Sequence, residues 1–366
     1  MRYTREKTRT IRLGGLAIGG GAPVAVQSMT NTDTRDAQAT LDQIRELAQA
    51  GCEVIRCAVP DLEAAAAFQT ICAQSPLPVV ADVHFDHRLA VAALENGAAG
   101  LRINPGNIDS PRALDRVVDA AKTAGAPIRV GANSGSLPKD LLAKHGGPSA
   151  EALVEAALRH VRLLEKRGFH DIKVSLKSSS VPRTIEACRR FAELCDCPQH
   201  LGVTEAGGIT AGTVKSALGI GALLLEGIGD TFRVSLTAHP RREVEVAWHI
   251  LRACGLRRRG VEIVSCPTCG RTEIDLIALL EAAEPELARL SAPLTVAIMG
   301  CVVNGPGEAK EADLGVAGGR GQGVLFVKGR VVKKVPEDRL LEELLQAARR
   351  AQAEYQAKPK PSKDLP

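Results

Sequence analysis

Two cysteines stand in the run Cys266-Pro267-Thr268-Cys269, a third, Cys301, follows alone, and Glu308 closes the run Asn304-Gly305-Pro306-Gly307-Glu308. Thiolates at such spacing bind soft or borderline metals. Three of them are one short of the four protein ligands of a structural zinc site or of a cubane iron–sulfur cluster held by cysteine alone. Glu308 as the fourth donor would add a hard oxygen ligand that a substrate oxygen is able to displace, which keeps a metal ready for chemistry. Other readings fit the same spacing. Cys-Pro-x-Cys-Gly is also a zinc-ribbon knuckle, although no second knuckle follows and no histidine lies beyond His249. A redox pair placed after the strand-like Val261-Glu262-Ile263-Val264, or three inert buried thiols, also stays open on spacing alone.

Upstream of these thiols one pattern recurs eight times: a short β-branched strand, a polar turn, then an Ala- and Leu-rich helix. The strands are expected around Val24 to Met29, Glu53 to Ala58, Val79 to His84, Leu101 to Asn104, Ile128 to Asn133, Ile172 to Lys177, Leu201 to Glu205, and Leu223 to Glu226 with an extension toward Ser235. Strict alternation predicts a parallel sheet, and eight units predict an α/β chain closed into a (β/α)8 TIM-type barrel. A hairpin over Thr10 to Gly19 is placed to plug its floor. Residues 1–255 are read as this barrel with its hairpin and 256–260 as an arginine-rich linker. Residues 261–351 are read as a small α+β domain carrying the cysteines, with strands near Val261 to Ser265, Leu294 to Met299 and Gly323 to Lys328. Residues 352–366 are read as a disordered tail.

Barrels of this kind hold their chemistry at the C-terminal strand ends. Here those positions are polar: Arg56, Asp82 and His84, Arg102 and Asn104, Arg129 and Asn133, Lys173, Ser175 and Lys177, Glu205, then Arg233 and Ser235. Charged side chains are almost never buried without a partner, so their recurrence at one end of successive strands marks a ligand site. Arginine and lysine outnumber Asp82 and Glu205, and guanidinium forks match phosphate oxygens, so the ligand is expected to be a phosphorylated, strongly anionic small molecule. Internal salt bridges are the bland alternative for Arg56 and Arg102, and a satisfied core histidine for His84. Cys52, Cys57, Cys72, Cys188, Cys195, Cys197 and Cys254 read as small buried hydrophobes.

Composition narrows the function classes. The chain has 366 residues, 45% of them apolar and 24% charged, enough for one large core and one smaller one. Aromatics at 2% speak against a base-stacking nucleic-acid surface, and a net charge of +5 permits an anionic small molecule without requiring a polyanion. No continuous apolar run of bilayer length and no signal-type segment is read, so no membrane association and a cytoplasmic location are expected. Ten cysteines without small-domain disulfide spacing suit a reducing compartment. Two rivals from other classes are a zinc-dependent barrel hydrolase or pterin-type transferase, and a zinc-knuckle protein using Arg257 to Arg259 on nucleic acid.

Pro23-Val24-Ala25-Val26-Gln27-Ser28-Met29-Thr30-Asn31-Thr32, Leu101-Arg102-Ile103-Asn104-Pro105-Gly106-Asn107, Gly202-Val203-Thr204-Glu205-Ala206-Gly207-Gly208 and Gly300-Cys301-Val302-Val303-Asn304-Gly305-Pro306-Gly307-Glu308 occur in one collinear order. From about Thr8 to about Leu345 the chain closely resembles the bacterial two-domain 4-hydroxy-3-methylbut-2-en-1-yl diphosphate synthase (GcpE) family. The resemblance implies reductive ring opening and dehydration of 2-C-methyl-D-erythritol 2,4-cyclodiphosphate in the non-mevalonate isoprenoid pathway. It implies a [4Fe–4S] cluster on Cys266, Cys269, Cys301 and Glu308. Arg56, Arg102, Arg129, Asn133, Lys177, Arg233 and Ser235 match the family's substrate contacts, with Asp82 and Glu205 near the carbon skeleton and Glu205 a candidate proton-handling group. It further implies a flavodoxin or ferredoxin electron donor, and a homodimer in which one subunit's cluster domain covers the other's barrel. The chain departs from the family at Ser178 and Ser180, where Lys177 is usually followed by Ala-Ser-Asp, and at His239, usually an aspartate.

Overall fold

A computed structural model describes residues 3–108, 110–301 and 309–357, and it divides into two compact units, residues 1–257 and 258–366. In the first, a hairpin of β1 (Ile11–Leu13) and β2 (Leu16–Ile18) precedes β3 (Ala25–Met29), α1 (Ala37–Ala50), β4 (Val54–Ala58), α2 (Leu62–Gln74), β5 (Val79–Asp82), α3 (His87–Glu95) and β6 (Gly100–Ile103). Then follow α4 (Pro111–Ala124), β7 (Ile128–Asn133), α5 (Lys139–His145), α6 (Ala150–Glu165), β8 (Ile172–Lys177), α7 (Val181–Leu194), β9 (His200–Leu201), α8 (Ile209–Glu226), β10 (Thr231–Phe232) and α9 (Pro240–Ala253).

Strands β3 to β10 pair in parallel in the order β8-β7-β6-β5-β4-β3-β10-β9, and a bridge between Val174 and Gln199 joins the two ends of this series. The chain therefore forms the eight-stranded barrel that alternation predicts. Helix boundaries follow local chemistry. Asp36, Asp61, Asp86, Ser110 and Ser149 accept an N–H of the first turn, and α1 and α4 end on Gly51 and Gly125 in the left-handed conformation. Between the strands and the helices lies one continuous apolar core that includes Val26, Ile55, Phe68, Ile103, Val130, Leu176 and Phe232. A second small cluster joins Ile11, Leu13 and Ile18 of the hairpin to Ala25, Val54 and Val80, which closes the floor with apolar surface.

One strand expectation is overturned. Leu223 to Glu226 is the last turn of α8, capped by Gly227 at φ 88°, and the eighth strand is Thr231–Phe232. A short apolar run without polar interruption does not tell a buried strand from a helix by periodicity, and the helical partners lie upstream in the same 18-residue element. Helix α8 also corrects the membrane reading. By length and composition alone it is long and apolar enough to cross a bilayer, yet it serves as a barrel helix whose Gly212, Ser216, Ile220, Leu223 and Leu224 are buried.

The second unit carries a five-stranded sheet in the order β11 (Glu262–Ser265), β12 (Thr295–Met299), β13 (Leu314–Gly319), β14 (Gln322–Val327), β15 (Arg330–Pro336). The first three strands run parallel and the last two antiparallel. Helix α10 (Leu276–Leu287) and the last helix, Leu340–Ala357, bury Leu287, Leu340 and Leu344 in the same core as Val296, Val316 and Val335. Sequence reading missed β13 because its glycines look like a loop. A Cβ on Gly315 would sit 2.3 Å from the Ala297 carbonyl and 2.5 Å from Phe326, so the glycine is what lets neighbouring chains approach. The last helix continues to Ala357, past the end expected at residue 351, and residues 358–366 lie outside the described set.

Candidate active site

The lumenal cations are set by strand pairing. Asp82 of β5 is in register with Arg102 of β6, Arg102 with Arg129 of β7, and Arg129 with Lys173 of β8, so an acid and three bases form one continuous row across four strands. Asp82 is buried and holds two of the guanidinium groups. Arg102 Nη1 donates to its Oδ1 at 3.0 Å, and Arg56 Nε lies 3.7 Å from Oδ2. Burial alone would raise the Asp82 carboxyl, but the charges of Arg56, Arg102 and Arg129 outweigh it and hold the group below the usual carboxylate range. Arg102 Nη1 also lies 3.1 Å from the ring nitrogens of His84, which stands at the exposed rim.

The remaining cations have less compensation. Arg129 donates to Ser175 Oγ at 3.2 Å, while its Nε is buried with no hydrogen-bond partner. Among the described residues no carboxylate lies within ion-pair distance of Arg129, Lys173 or Lys177. Burial, reinforced by the neighbouring arginines, drives Arg129 and Lys177 well below their ordinary pKa, and brings Lys173 down to about 7 and Arg56 to about 10. Cations so destabilised gain most from an anion placed among them. Lys177 packs against Gly202, where a Cβ would fall 2.8 Å from its Nζ and 2.9 Å from the Arg233 carbonyl.

Sequence reading missed Glu243. It lies in the first turn of α9, is 3% exposed, and receives Arg233 Nε at 3.0 Å, Arg233 Nη2 at 2.9 Å, the Leu236 N–H at 3.0 Å and Ser28 Oγ at 3.3 Å. This bidentate grip fixes the Arg233 fork beside the lumen. The signal was present: Glu243 shares a helical face with the buried Val244, Ala247 and Leu251.

Other residues stand apart from this network. Asn133 pairs in register with Lys177, and Asn133 and Ser235 are half-buried. Glu205 is not in a strand. It lies beyond the short β9, exposed, at φ 53°, a left-handed conformation that costs a non-glycine residue about 1–2 kcal/mol. Of the three departures from the family pattern, two cap helices: Ser180 caps α7, accepting the Arg183 N–H, and His239 Nδ1 accepts the Arg241 N–H at 3.4 Å to cap α9, while Ser178 Oγ accepts the Ser180 N–H at 3.1 Å. Capping thus survives both changes.

In the second unit, Cys266 directly follows β11 and Cys301 follows β12 by two residues, at the same end of two adjacent parallel strands. The Gly300 N–H donates to Cys266 Sγ at 3.3 Å. Cys269 is exposed at the turn that follows, its N–H bonded to Thr272 Oγ1 at 3.1 Å, and hydrogen bonds from the Arg271 backbone and side chain hold its thiol below the usual range. The N–H aimed at the Cys266 sulfur and the lowered Cys269 thiol suit thiolate ligands. The three sulfurs do not all lie within 4.8 Å of one another, a wider spacing than a single zinc ion gathers, so the donor set fits a cluster. Glu308 lies outside the described residues.

A (β/α)8 barrel with a cationic lumen, joined to a unit that presents three thiols, defines an enzyme class acting on anionic substrates with a thiolate-bound centre. Residues 8–248 match the GcpE TIM-barrel domain and residues 262–350 the GcpE protein C-terminal domain, so the chain belongs to the GcpE family. It is 58% identical over 352 residues to the 4-hydroxy-3-methylbut-2-en-1-yl diphosphate synthase (flavodoxin) of Lawsonia intracellularis, covering 96% of this chain and 98% of the relative. It is 60% identical over 334 residues to the enzyme of that name from Maridesulfovibrio salexigens, covering 91% and 93%. The barrel also resembles type I 3-dehydroquinate dehydratase from Clostridium difficile, with a TM-score of 0.51 at 12% identity over 68% of this chain and 98% of that one, a likeness of fold alone.

Proposed function

We propose that the chain converts 2-C-methyl-D-erythritol 2,4-cyclodiphosphate into (E)-4-hydroxy-3-methylbut-2-en-1-yl diphosphate by two-electron reductive ring opening with loss of water, in the non-mevalonate isoprenoid pathway. The observation that carries the reading is the set of under-compensated lumenal cations, Arg129, Lys173 and Lys177, beside Arg56 and Arg102 held by Asp82 and Arg233 held by Glu243. A cyclic diphosphate supplies the missing negative charge. Two electrons and two protons enter, one carbon–oxygen bond to the ring diphosphate breaks, and one oxygen leaves as water.

Arg56, Arg102, Arg129, Lys177 and Arg233 grip the diphosphate, with Asn133 and Ser235 as neutral contacts. Neutralising its charge makes it a better leaving group. Asp82 and Glu243 act by holding three of these forks in place. Glu205, kept at a strained backbone position beside the mouth, is the proton-handling group. A [4Fe–4S] cluster on Cys266, Cys269, Cys301 and Glu308 supplies, when bound, the electrons and a Lewis-acidic iron. Those electrons come from a flavodoxin, the donor named for the relatives, or from a ferredoxin. The working form is a cytoplasmic homodimer, a reading supported by the exposed apolar stripe of α8, where Val214, Leu218 and Leu225 are 54%, 58% and 58% exposed.

Anaerobic reconstitution with iron and sulfide, followed by turnover of the cyclic diphosphate with a chemical reductant, tests the reading. Product formation that is lost in Glu308→Ala and in Arg129→Met supports it. A colourless protein that retains zinc and does not bind the cyclic diphosphate refutes it.

A further inference from the structure

At the opposite end of the barrel from the cationic mouth lies a cavity of about 630 Å³, lined among others by Tyr3, Lys7, Arg9, Arg162, Cys195 and Asp230. Cys195 ends α7 and Cys197 stands three residues before β9, so both thiols belong to the floor loop that leads into the barrel's weakest seam. That seam is the Val174–Gln199 bridge, with the Val174 N–H donating to the Pro198 carbonyl at 2.9 Å. The sulfurs of Cys195 and Cys197 and a carboxylate oxygen of Asp196 all lie within 4.8 Å of one another. These two cysteines are therefore not the independent buried hydrophobes that the sequence suggests.

A cation is a poor occupant. The Asp196 carboxylate is already taken by Arg9, whose Nε donates at 2.9 Å and Nη2 at 2.5 Å, and the Asp196 carbonyl accepts the Arg9 N–H at 2.8 Å. The same guanidinium that repels a metal favours a thiolate. Cys195 is half-buried and lines the cavity, whereas Cys197 is 1% exposed. Closeness to Cys197, with the Arg9 guanidinium beside it, holds the Cys195 thiol below its ordinary range, while closeness to Cys195 together with burial raises that of Cys197. One sulfur is thus placed as an accessible nucleophile and its neighbour as the resolving thiol.

We propose that Cys195 and Cys197 form a redox-active dithiol at the barrel floor that exchanges with low-molecular-weight disulfides such as oxidised glutathione. Cys195 thiolate attacks one sulfur of the small disulfide, forming a mixed disulfide and releasing one thiolate. Cys197 then loses its proton, attacks the Cys195 sulfur and releases the second thiolate, leaving a Cys195–Cys197 disulfide. Two electrons pass from the protein to the small disulfide, which leaves as two thiols. No group of the cationic mouth takes part, so the proposal stands apart from the reaction assigned to the other end of the barrel.

The test is anaerobic incubation of the cluster-loaded protein with oxidised glutathione, followed by acid quench, alkylation of free thiols and peptide mapping. Trypsin releases both cysteines in one peptide, Phe191 to Lys215. The expected result is loss of two hydrogens within that peptide, ahead of any change at Cys52, Cys57 and Cys188, whose thiols burial pushes up to about 12, 11 and 12. Cys197→Ser should stop the reaction at a glutathione adduct on Cys195. A peptide that stays fully alkylated while Cys72 or Cys254 reacts, or a pair that retains added zinc through gel filtration, overturns the proposal. The wild-type mapping decides the matter even if the variant does not fold.

Discussion

At the scale of single residues, the lumenal arginines depend on the carboxylates that hold them. Glu243→Gln keeps the shape of the side chain but removes the charge that receives both arms of Arg233. A charge-assisted bidentate pair is worth roughly 1.5–3 kcal/mol, so the KM for the cyclic diphosphate should rise about tenfold or more while kcat changes less. Steady-state kinetics on the reconstituted variant check this, and an unchanged KM would show that Arg233 is held by something else. Lys173 gives a pH signature. Its folded-state pKa of about 7 lies below the ordinary lysine value, so between about pH 7 and pH 10.5 the unfolded chain holds a proton that the folded chain has lost. Stability from this group therefore rises with pH across that window, and below it the full cost of a buried ammonium is present. In Lys173→Met the difference in urea midpoint between pH 7 and about pH 9.5 should shrink relative to wild type, by the equivalent of a few kcal/mol.

At the scale of elements, what was legible depended on whether one periodicity dominated. Strands β3 to β8 read correctly because their β-branched residues are buried on both faces, and the lumenal arginines stood out as charges inside such runs. Helix α8 failed because small and apolar residues on nearly every face erase the 3.6-residue signal, so its last turn passed for a strand. Strand β15, Arg330–Pro336, is largely exposed and lysine-bearing at the sheet edge, and such an edge strand lacks the alternation that marks a half-buried one. The unusual composition of α8 carries its own consequence. Val214, Leu218 and Leu225 present apolar surface on the side of α8 turned away from the barrel, and a second copy of the chain would remove that surface from water. Leu218→Lys should shift the sedimentation coefficient from dimer toward monomer at micromolar concentration without lowering the thermal midpoint of the barrel. A dimer unaffected by the charge would place the contact elsewhere.

At the scale of the whole molecule, two units with separate cores share one chain, and the first unit ends on an arginine that sequence reading assigned to the linker. Arg257 Nη1 donates to Glu53 Oε2 at 2.6 Å and to the Val24 carbonyl at 2.8 Å, Nη2 donates to Glu53 Oε1 at 2.8 Å, and the guanidinium lies 4.9 Å from the Trp248 ring centroid. Glu53 in turn accepts the Val26 N–H at 3.0 Å. The end of α9 is thereby tied to the starts of β3 and β4, and the barrel extends to residue 257, two residues beyond the boundary read at 255. A fork half-shielded from water, with a carboxylate, a carbonyl and an aromatic face as partners, contributes roughly 1–3 kcal/mol. A fragment of residues 1–257 should therefore unfold at higher urea concentration than one of residues 1–255. The cyclic diphosphate should raise the midpoint of both, because every lumenal cation is retained in each. Equal midpoints without ligand would mean that Arg257 adds nothing to the barrel's stability, whereas a gap that disappears in Glu53→Gln would trace it to this contact.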